Sequence, residues 1–238
     1  MDKHCLIIGA SGDIGKAVAL QLARDGYTLS LHYHTNRKSI DELLPALPNE
    51  TVVEVLRGDL STGSGIEAFI NSVSFVPSHL VFANGQAYSG LFQETPKQVM
   101  DELFHVHVKA LWLITQFFLP TMIRNQHGNI IVISSIWGNV GASSEVIYSS
   151  VKGAQNSFVK ALAKEVASSN IRVNAVSPGL INTKMNADLS KEEVDALVQD
   201  IPANRMGKVE EVADLVTFLC QPHATYINGE NINIDGAW

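Results

Sequence analysis

Short, unbroken apolar runs alternate along this chain with longer stretches in which apolar residues return every three or four positions, the signatures of buried strands and amphipathic helices. Residues 5–8, 28–33, 52–56, 80–83, 128–135, 171–177 and 231–235 read as strands, and residues 14–23, 66–73, 96–124, 147–167 and 209–219 as helices. The 96–124 stretch is apolar on more than one face, as suits a helix held between a sheet and a further neighbour. This alternation predicts an α/β fold, a parallel, doubly wound sheet of about seven strands flanked by helices, with ligands at the C-terminal strand ends. Gly9, Gly85, Ser135 and Pro178 fall at such ends. No linker, repeat or low-complexity segment interrupts the pattern, so residues 1–238 are expected to form a single domain. Within it, 180–204 is polar and weakly periodic, the composition of a mobile lid.

Composition narrows the field. With 238 residues, 46% hydrophobic and 17% charged, the chain is globular with a substantial core. A net charge of -7 argues against a nucleic-acid partner, because phosphate binding needs a basic field. No apolar stretch reads as a membrane span, and Met1-Asp2-Lys3-His4 leads into the first strand without the shape of a signal peptide. The two cysteines, Cys5 and Cys220, sit in apolar surroundings and fit a reducing compartment. A cytoplasmic protein without membrane or nucleic-acid partners is expected.

Two constellations carry chemistry. Gly9-Ala10-Ser11-Gly12-Asp13-Ile14-Gly15 lies between a buried strand and an amphipathic helix, where free N–H groups and the positive helix end face a phosphate. Such a turn is moderately specific for a dinucleotide. Further on, Tyr148 and Lys152 are four apart and share one helix face, with Ser135 thirteen residues before the tyrosine at a strand end. A tyrosine of reference pKa roughly 10 becomes a useful acid or base if a neighbouring ammonium favours its phenolate. The Tyr-x-x-x-Lys spacing alone is weak, since a surface lysine over a half-buried tyrosine gives it too.

The second strand ends in His34-Thr35-Asn36-Arg37-Lys38, with no acidic side chain before Asp41 to hold a ribose 2′-hydroxyl. These residues either surround a 2′-phosphate, which would favour NADP over NAD, or form a solvated basic turn. The pairs His32-x-His34 and His105-x-His107 lack the further ligands a metal site needs, and none is expected.

Taken together, the glycine turn, Asp59-Leu60, Asn84-Gly85, Ser135 with Tyr148 and Lys152, Asn174-Ala175-Val176-Ser177-Pro178-Gly179 with Thr183, Arg205-Met206-Gly207, and Asn228-Gly229 resemble the short-chain dehydrogenase/reductase family. The resemblance spans nearly the whole chain and is nearest to the 3-oxoacyl-acyl-carrier-protein reductases. It implies a Rossmann-type domain and Tyr148 as general acid/base. Ser135 would hold the substrate carbonyl, and Lys152 would lower the tyrosine pKa and hold the nicotinamide ribose. It also implies a cofactor site from Gly9, Ser11, Gly12, Asp13, Ile14 and Gly15 at the pyrophosphate, Asn36 and Arg37 at the 2′ position, and Asp59 with Leu60 at the adenine. Asn84 and Gly85 would flank the ribose, with Pro178, Gly179, Ile181 and Thr183 near the carboxamide. Family members pair through their two long helices, so a homodimer or homotetramer is implied.

The departures matter as well. Asp13 stands where the family has glycine, either capping the helix or competing with the pyrophosphate. His107 stands where the family's catalytic asparagine is expected, either relaying protons with a pKa near 6.5 or simply filling the core. Positions where carrier-protein reductases place arginines are Gln126 and Ser169 here, which makes an acyl carrier protein a doubtful partner and leaves a small or thioester-linked carbonyl substrate. Two classes follow: an NADPH-dependent carbonyl reductase, or a cofactor-binding or structural subunit that has lost turnover.

Overall fold

The structure is a computed structural model that describes residues 3–187 and 189–238; the chain start at Met1 and Asp2 lies outside them. Strands β1 (His4–Ile8), β2 (Thr28–Tyr33), β3 (Val52–Arg57), β4 (His79–Phe82), β5 (Gly128–Ile133), β6 (Ile171–Pro178) and β7 (Asn231–Ile234) form one parallel sheet in the order β3-β2-β1-β4-β5-β6-β7. Helices α1 (Asp13–Arg24), α2 (Arg37–Leu43), α3 (Gly63–Ser72), α4 (Lys97–Phe104), α5 (Ala110–Asn125), α6 (Trp137–Val140), α7 (Val146–Val166), α8 (Lys191–Asp200) and α9 (Val209–Cys220) connect them. This is the doubly wound, Rossmann-type arrangement anticipated from the alternation of elements.

Both faces of the central strands are covered, which is why their sequences are apolar without interruption. Successive side chains point to opposite faces. Cys5, Ile7, Leu29, Leu31 and Val81 pack with Val18 and Leu22 of α1 and Val212 and Val216 of α9. Leu6, Ile8, Leu80 and Phe82 pack with Ile66 of α3, Leu111 and Ile114 of α5 and Val159 of α7. Each fully buried aliphatic side chain stabilises the fold by about 2 kcal/mol. The chain builds outward from β1 through β2 to β3, then returns to place β4 on the other side of β1. That reversal opens a crevice at the C-terminal ends of β1 and β4.

Three features depart from expectation. The 96–124 helix is α4 and α5 joined through a π-helical turn, His105–Lys109, so its register shifts where His107 lies. By length and composition the continuous helix Lys97–Asn125 could cross a membrane, contrary to the reading of the sequence. Its inner face, with Ala110, Leu111, Ile114, Phe118 and Met122, is built into the core beside the sheet, the position of a core helix. The polar 180–204 stretch contains α8, held by a capping box in which Ser190 and Glu193 bond each other's backbone N–H. No residue of this helix is fully buried, and its apolar stripe is limited to the partly buried Val194, Leu197 and Val198.

Candidate active site

The first wall of the crevice is the glycine turn. Gly9 has φ +86, and a Cβ there would lie 2.6 Å from the backbone of Asn84, so the loops after β1 and β4 touch main chain to main chain. A Cβ on Gly15 would lie 2.3 Å from the Gly9 carbonyl oxygen, so α1 also needs glycine to start this close to the strand. Gly12 caps α1 without a side-chain bond, which leaves the first-turn N–H groups, near Ser11 and Ile14, available to a ligand. The turn therefore fits a dinucleotide pyrophosphate.

Asp13 does not follow the capping reading, and its carboxylate is held elsewhere. Its side chain does not cap the helix; Oδ2 accepts a 2.7 Å hydrogen bond from the Lys184 backbone N–H, and Oδ1 pairs with Lys16 at 3.3 Å. The carboxylate thus fastens the 180–204 segment to the turn. That segment is anchored again by a β-bridge between Ile181 and Gly207 and by the bond from Ala203 N–H to the Gly236 carbonyl.

The second wall carries the acid/base set. Beyond β5, Ser135 is buried, and its Oγ accepts from the Trp137 N–H at 3.2 Å, which turns its own proton away from the backbone. The Ser135 hydroxyl also lies close enough to Tyr148 to favour its phenolate. Tyr148 and Lys152 lie one turn apart on α7, with Lys152 Nζ 5.5 Å from the centre of the phenol ring. Their electrostatics correct the sequence reading. Burial drives the Tyr148 pKa up to about 12, the nearby Glu145 carboxylate adds to the rise, and only Ser135 opposes it. Lys152 is itself buried, its pKa lowered to about 7 by desolvation, and its Nζ donates to the Ile133 carbonyl at 2.9 Å.

His107 closes the back of the site. Its ring meets Tyr148 edge to face at 5.7 Å, and a Cβ on Gly85 would lie 2.7 Å from its Cε1. Nε2 lies 2.9 Å from the Gln86 carbonyl and 3.3 Å from the Gln86 N–H; the shorter contact makes Nε2–H the donor. Nδ1 is then an acceptor, buried and without a hydrogen-bond partner. Burial, reinforced by Lys152, lowers the His107 pKa to about 3, so the ring is neutral at physiological pH and does not cycle through the cation as its reference value suggested. The Gln155 amide holds the His107 carbonyl, and the Asn84 amide holds that of Val106.

The remaining predicted residues divide. Asp59 is half-exposed beside the crevice, one oxygen taken by the Ser61 N–H, whereas the Leu60 side chain is buried in the core and only its backbone can face a ligand. Ile181 is likewise buried. Pro178 and Gly179 sit at the β6 end, with Gly179 against Asp235, and Thr183 opens the turn that reaches Asp13. Asn36 caps α2, its Oδ1 accepting from the Ser39 N–H. Arg37 stays exposed, bonded to Asp41 at 2.8 Å and lying over the Tyr33 ring. The sequence reading missed the Trp137 N–H and the Ile133 carbonyl, which carry no residue-type signal. It also missed Glu145, three residues before Tyr148, whose place on the helix could have flagged it.

Fold and site together define an oxidoreductase built on a dinucleotide-binding sheet. Residues 9–237 match a family model described as Enoyl-(Acyl carrier protein) reductase. The chain is 41% identical over 240 residues to the "Uncharacterized oxidoreductase YmfI" of Bacillus subtilis (strain 168), covering 100% of this chain and 99% of that protein. It is 32% identical over 240 residues to the 3-oxoacyl-acyl-carrier-protein reductase FabG of Thermotoga maritima, covering 98% and 96%. The crystal structure of a 3-oxoacyl-acyl-carrier-protein reductase from Brucella melitensis ATCC 23457 superposes with a TM-score of 0.90 at 24% identity, over 99% of this chain and 91% of that one. The chain belongs to the short-chain dehydrogenase/reductase family, whose members use NAD or NADP.

Proposed function

We propose that this protein reduces a carbonyl to an alcohol with NADPH, acting on a 3-oxoacyl thioester or a related small ketone. The observation that carries the reading is the convergence of Tyr148 and Lys152, with Nζ 5.5 Å from the centre of the phenol ring, and of the buried Ser135 hydroxyl that favours the phenolate, across the crevice from the glycine turn. A nicotinamide bound there supplies the hydride chemistry; the chain supplies orientation and the proton. With its oxygen engaged by Trp137 N–H, Ser135 has a hydroxyl proton to offer a carbonyl oxygen. Tyr148, a neutral phenol at pH 7, holds the proton an alkoxide needs. Lys152, with a pKa of about 7, can be cationic when the phenolate forms and so stabilise it. His107 Nδ1 offers an acceptor in the same pocket for a water or hydroxyl that carries protons onward.

The preference for NADPH rests on Arg37 and Lys38, exposed after β2, and on the engagement of Asp41 by Arg37. A carrier protein is disfavoured: Arg172 is consumed by the Leu219 and Ala224 carbonyls, and Gln126 and Ser169 are uncharged. Exposed Phe104, Trp112 and Phe117 on α4 and α5 suit a homodimer or homotetramer, and free buried cysteines suit a cytoplasmic protein. The test is oxidation of NADPH by the purified protein with acetoacetyl thioesters and a panel of small ketones, abolished in Tyr148→Phe. NADPH binding without turnover across that panel would overturn the reading in favour of a non-catalytic subunit.

A further inference from the structure

We propose that His32 is a positioning residue for the cofactor: one imidazole on β2 accepts from the first amide of the glycine turn after β1 and so fixes that turn, while its other nitrogen is steadied by the loop after β3. The proposal rests on the dinucleotide reading of the site.

His32 is buried, and both ring nitrogens are engaged. The Gly9 backbone N–H, which can only donate, lies 3.1 Å from Nδ1. The Gly58 carbonyl, which can only accept, lies 3.1 Å from Nε2. These two partners leave a single arrangement, Nδ1 as acceptor and Nε2–H as donor, which is one tautomer of the neutral ring. Burial lowers the His32 pKa to about 4, in keeping with that form. The main-chain oxygen of His32 also accepts from Ala10 N–H at 2.8 Å, so this one residue takes the first two amides of the turn. Gly58 leads directly to Asp59 and Leu60, and its own N–H is held by the Tyr33 carbonyl. Phe69 of α3 packs on the ring at 4.6 Å and also closes on Gly58, which fixes the orientation of the imidazole. The loops joined in this way are those assigned to the pyrophosphate and to the adenine.

A core histidine chosen only for bulk would not need these partners, and an apolar replacement would leave a buried N–H and a buried carbonyl unsatisfied. The two bonds can also be cut separately. In His32→Asn the side-chain oxygen reaches the Nδ1 position and serves Gly9, but nothing reaches Gly58. In His32→Gln the amide reaches the Nε2 position and serves Gly58, but Gly9 loses its acceptor. Both variants leave a gap beside Phe69, so both lower Tm.

The experiment measures NADPH Kd, Tm and hydrogen exchange of the peptide covering 9–15 in the cofactor-free protein. The expected result is a Kd within about threefold of wild type for His32→Asn and weakened at least about tenfold for His32→Gln, with faster exchange in the glutamine variant alone. Equal Kd losses in the two variants, or losses that follow Tm, overturn the proposal. Exchange that separates the variants while wild type binds no dinucleotide overturns the cofactor reading and supports the hold on the turn. Identical exchange in both overturns the hold itself.

Discussion

Lys152 Nζ donates to the Ile133 carbonyl at 2.9 Å and stands 5.5 Å from the centre of the Tyr148 ring, so the amine is anchored to β5 and faces the phenol. A lysine buried this way is disfavoured as a cation. The folded protein therefore binds fewer protons than the unfolded chain between about pH 7, the Lys152 value in the fold, and the ordinary lysine value of 10.5. Stability from this group rises with pH across that window, and at neutral pH and below the full cost of the buried charge is present. Lys152→Met should have a higher Tm at pH 6 and a flatter Tm profile from pH 7 to 10, with turnover lost. A lower Tm at pH 6 would refute the account.

Tyr148→Phe should lower kcat by about a hundredfold or more while leaving NADPH Kd within a few-fold, because the hydroxyl supplies a proton rather than cofactor affinity. Stopped-flow reduction and fluorescence titration measure the two effects separately.

Neutral burial of His107 has an acid cost. Its pKa is lowered to about 3 in the fold, so protons favour the unfolded chain as pH falls below the ordinary histidine value of 6.5. Between pH 6.5 and 5 this amounts to about 2 kcal/mol. His107→Asn should remove that share of the acid destabilisation in urea melts and keep turnover within a few-fold, whereas His107→Ala, which removes the acceptor, should lose turnover. Unchanged turnover and pH profile in both variants would end the proton-relay role.

Gly85→Ala tests the same pocket from the other side, since its Cβ would press to 2.7 Å on the His107 ring. Displacing that ring should lower kcat at least about tenfold with the fold intact by circular dichroism. Combining it with His107→Asn, a smaller side chain, should recover part of the loss, a coupling that a double-mutant cycle reads directly.

Asp13 places a carboxylate at the α1 N-terminus, where the pyrophosphate would lie. Asp13→Asn keeps an acceptor for the Lys184 N–H and removes the charge, so NADPH should bind about two- to fivefold tighter. Asp13→Gly should also tighten binding and, with the tie cut, increase proteolysis within 180–204. Weaker binding in Asp13→Asn would show that the charge does not oppose the cofactor.

The sheet, its parallel sense and the main helices were legible because the central strands are buried on both faces and each major helix has a core-facing stripe. Helix α8 was not, since its apolar stripe is confined to Val194, Leu197 and Val198 and is only partly buried. Ser135, Tyr148 and Lys152 were legible as types at set spacings and do come together. Their proton affinities were not, because spacing placed the ammonium beside the phenol without revealing how completely both are desolvated. The cap that Asn36 makes on α2 was not legible, because a polar side chain near a predicted 2′ position serves equally well in either role. His32 was weighed only as half of a metal pair, and its partners are main-chain atoms far along the chain.

The reversal of strand order between β1 and β4 splits the molecule into two workshops with a shared wall. In the proposed reading, recognition of the nucleotide would fall to β1, β2 and β3 and handling of the carbonyl to β5, β6 and the stretch beyond. The seam between them is the backbone contact of Gly9 with Asn84. Descendants of such a chain are free to retune which dinucleotide they accept without disturbing what they reduce, and the reverse, provided that seam is left alone.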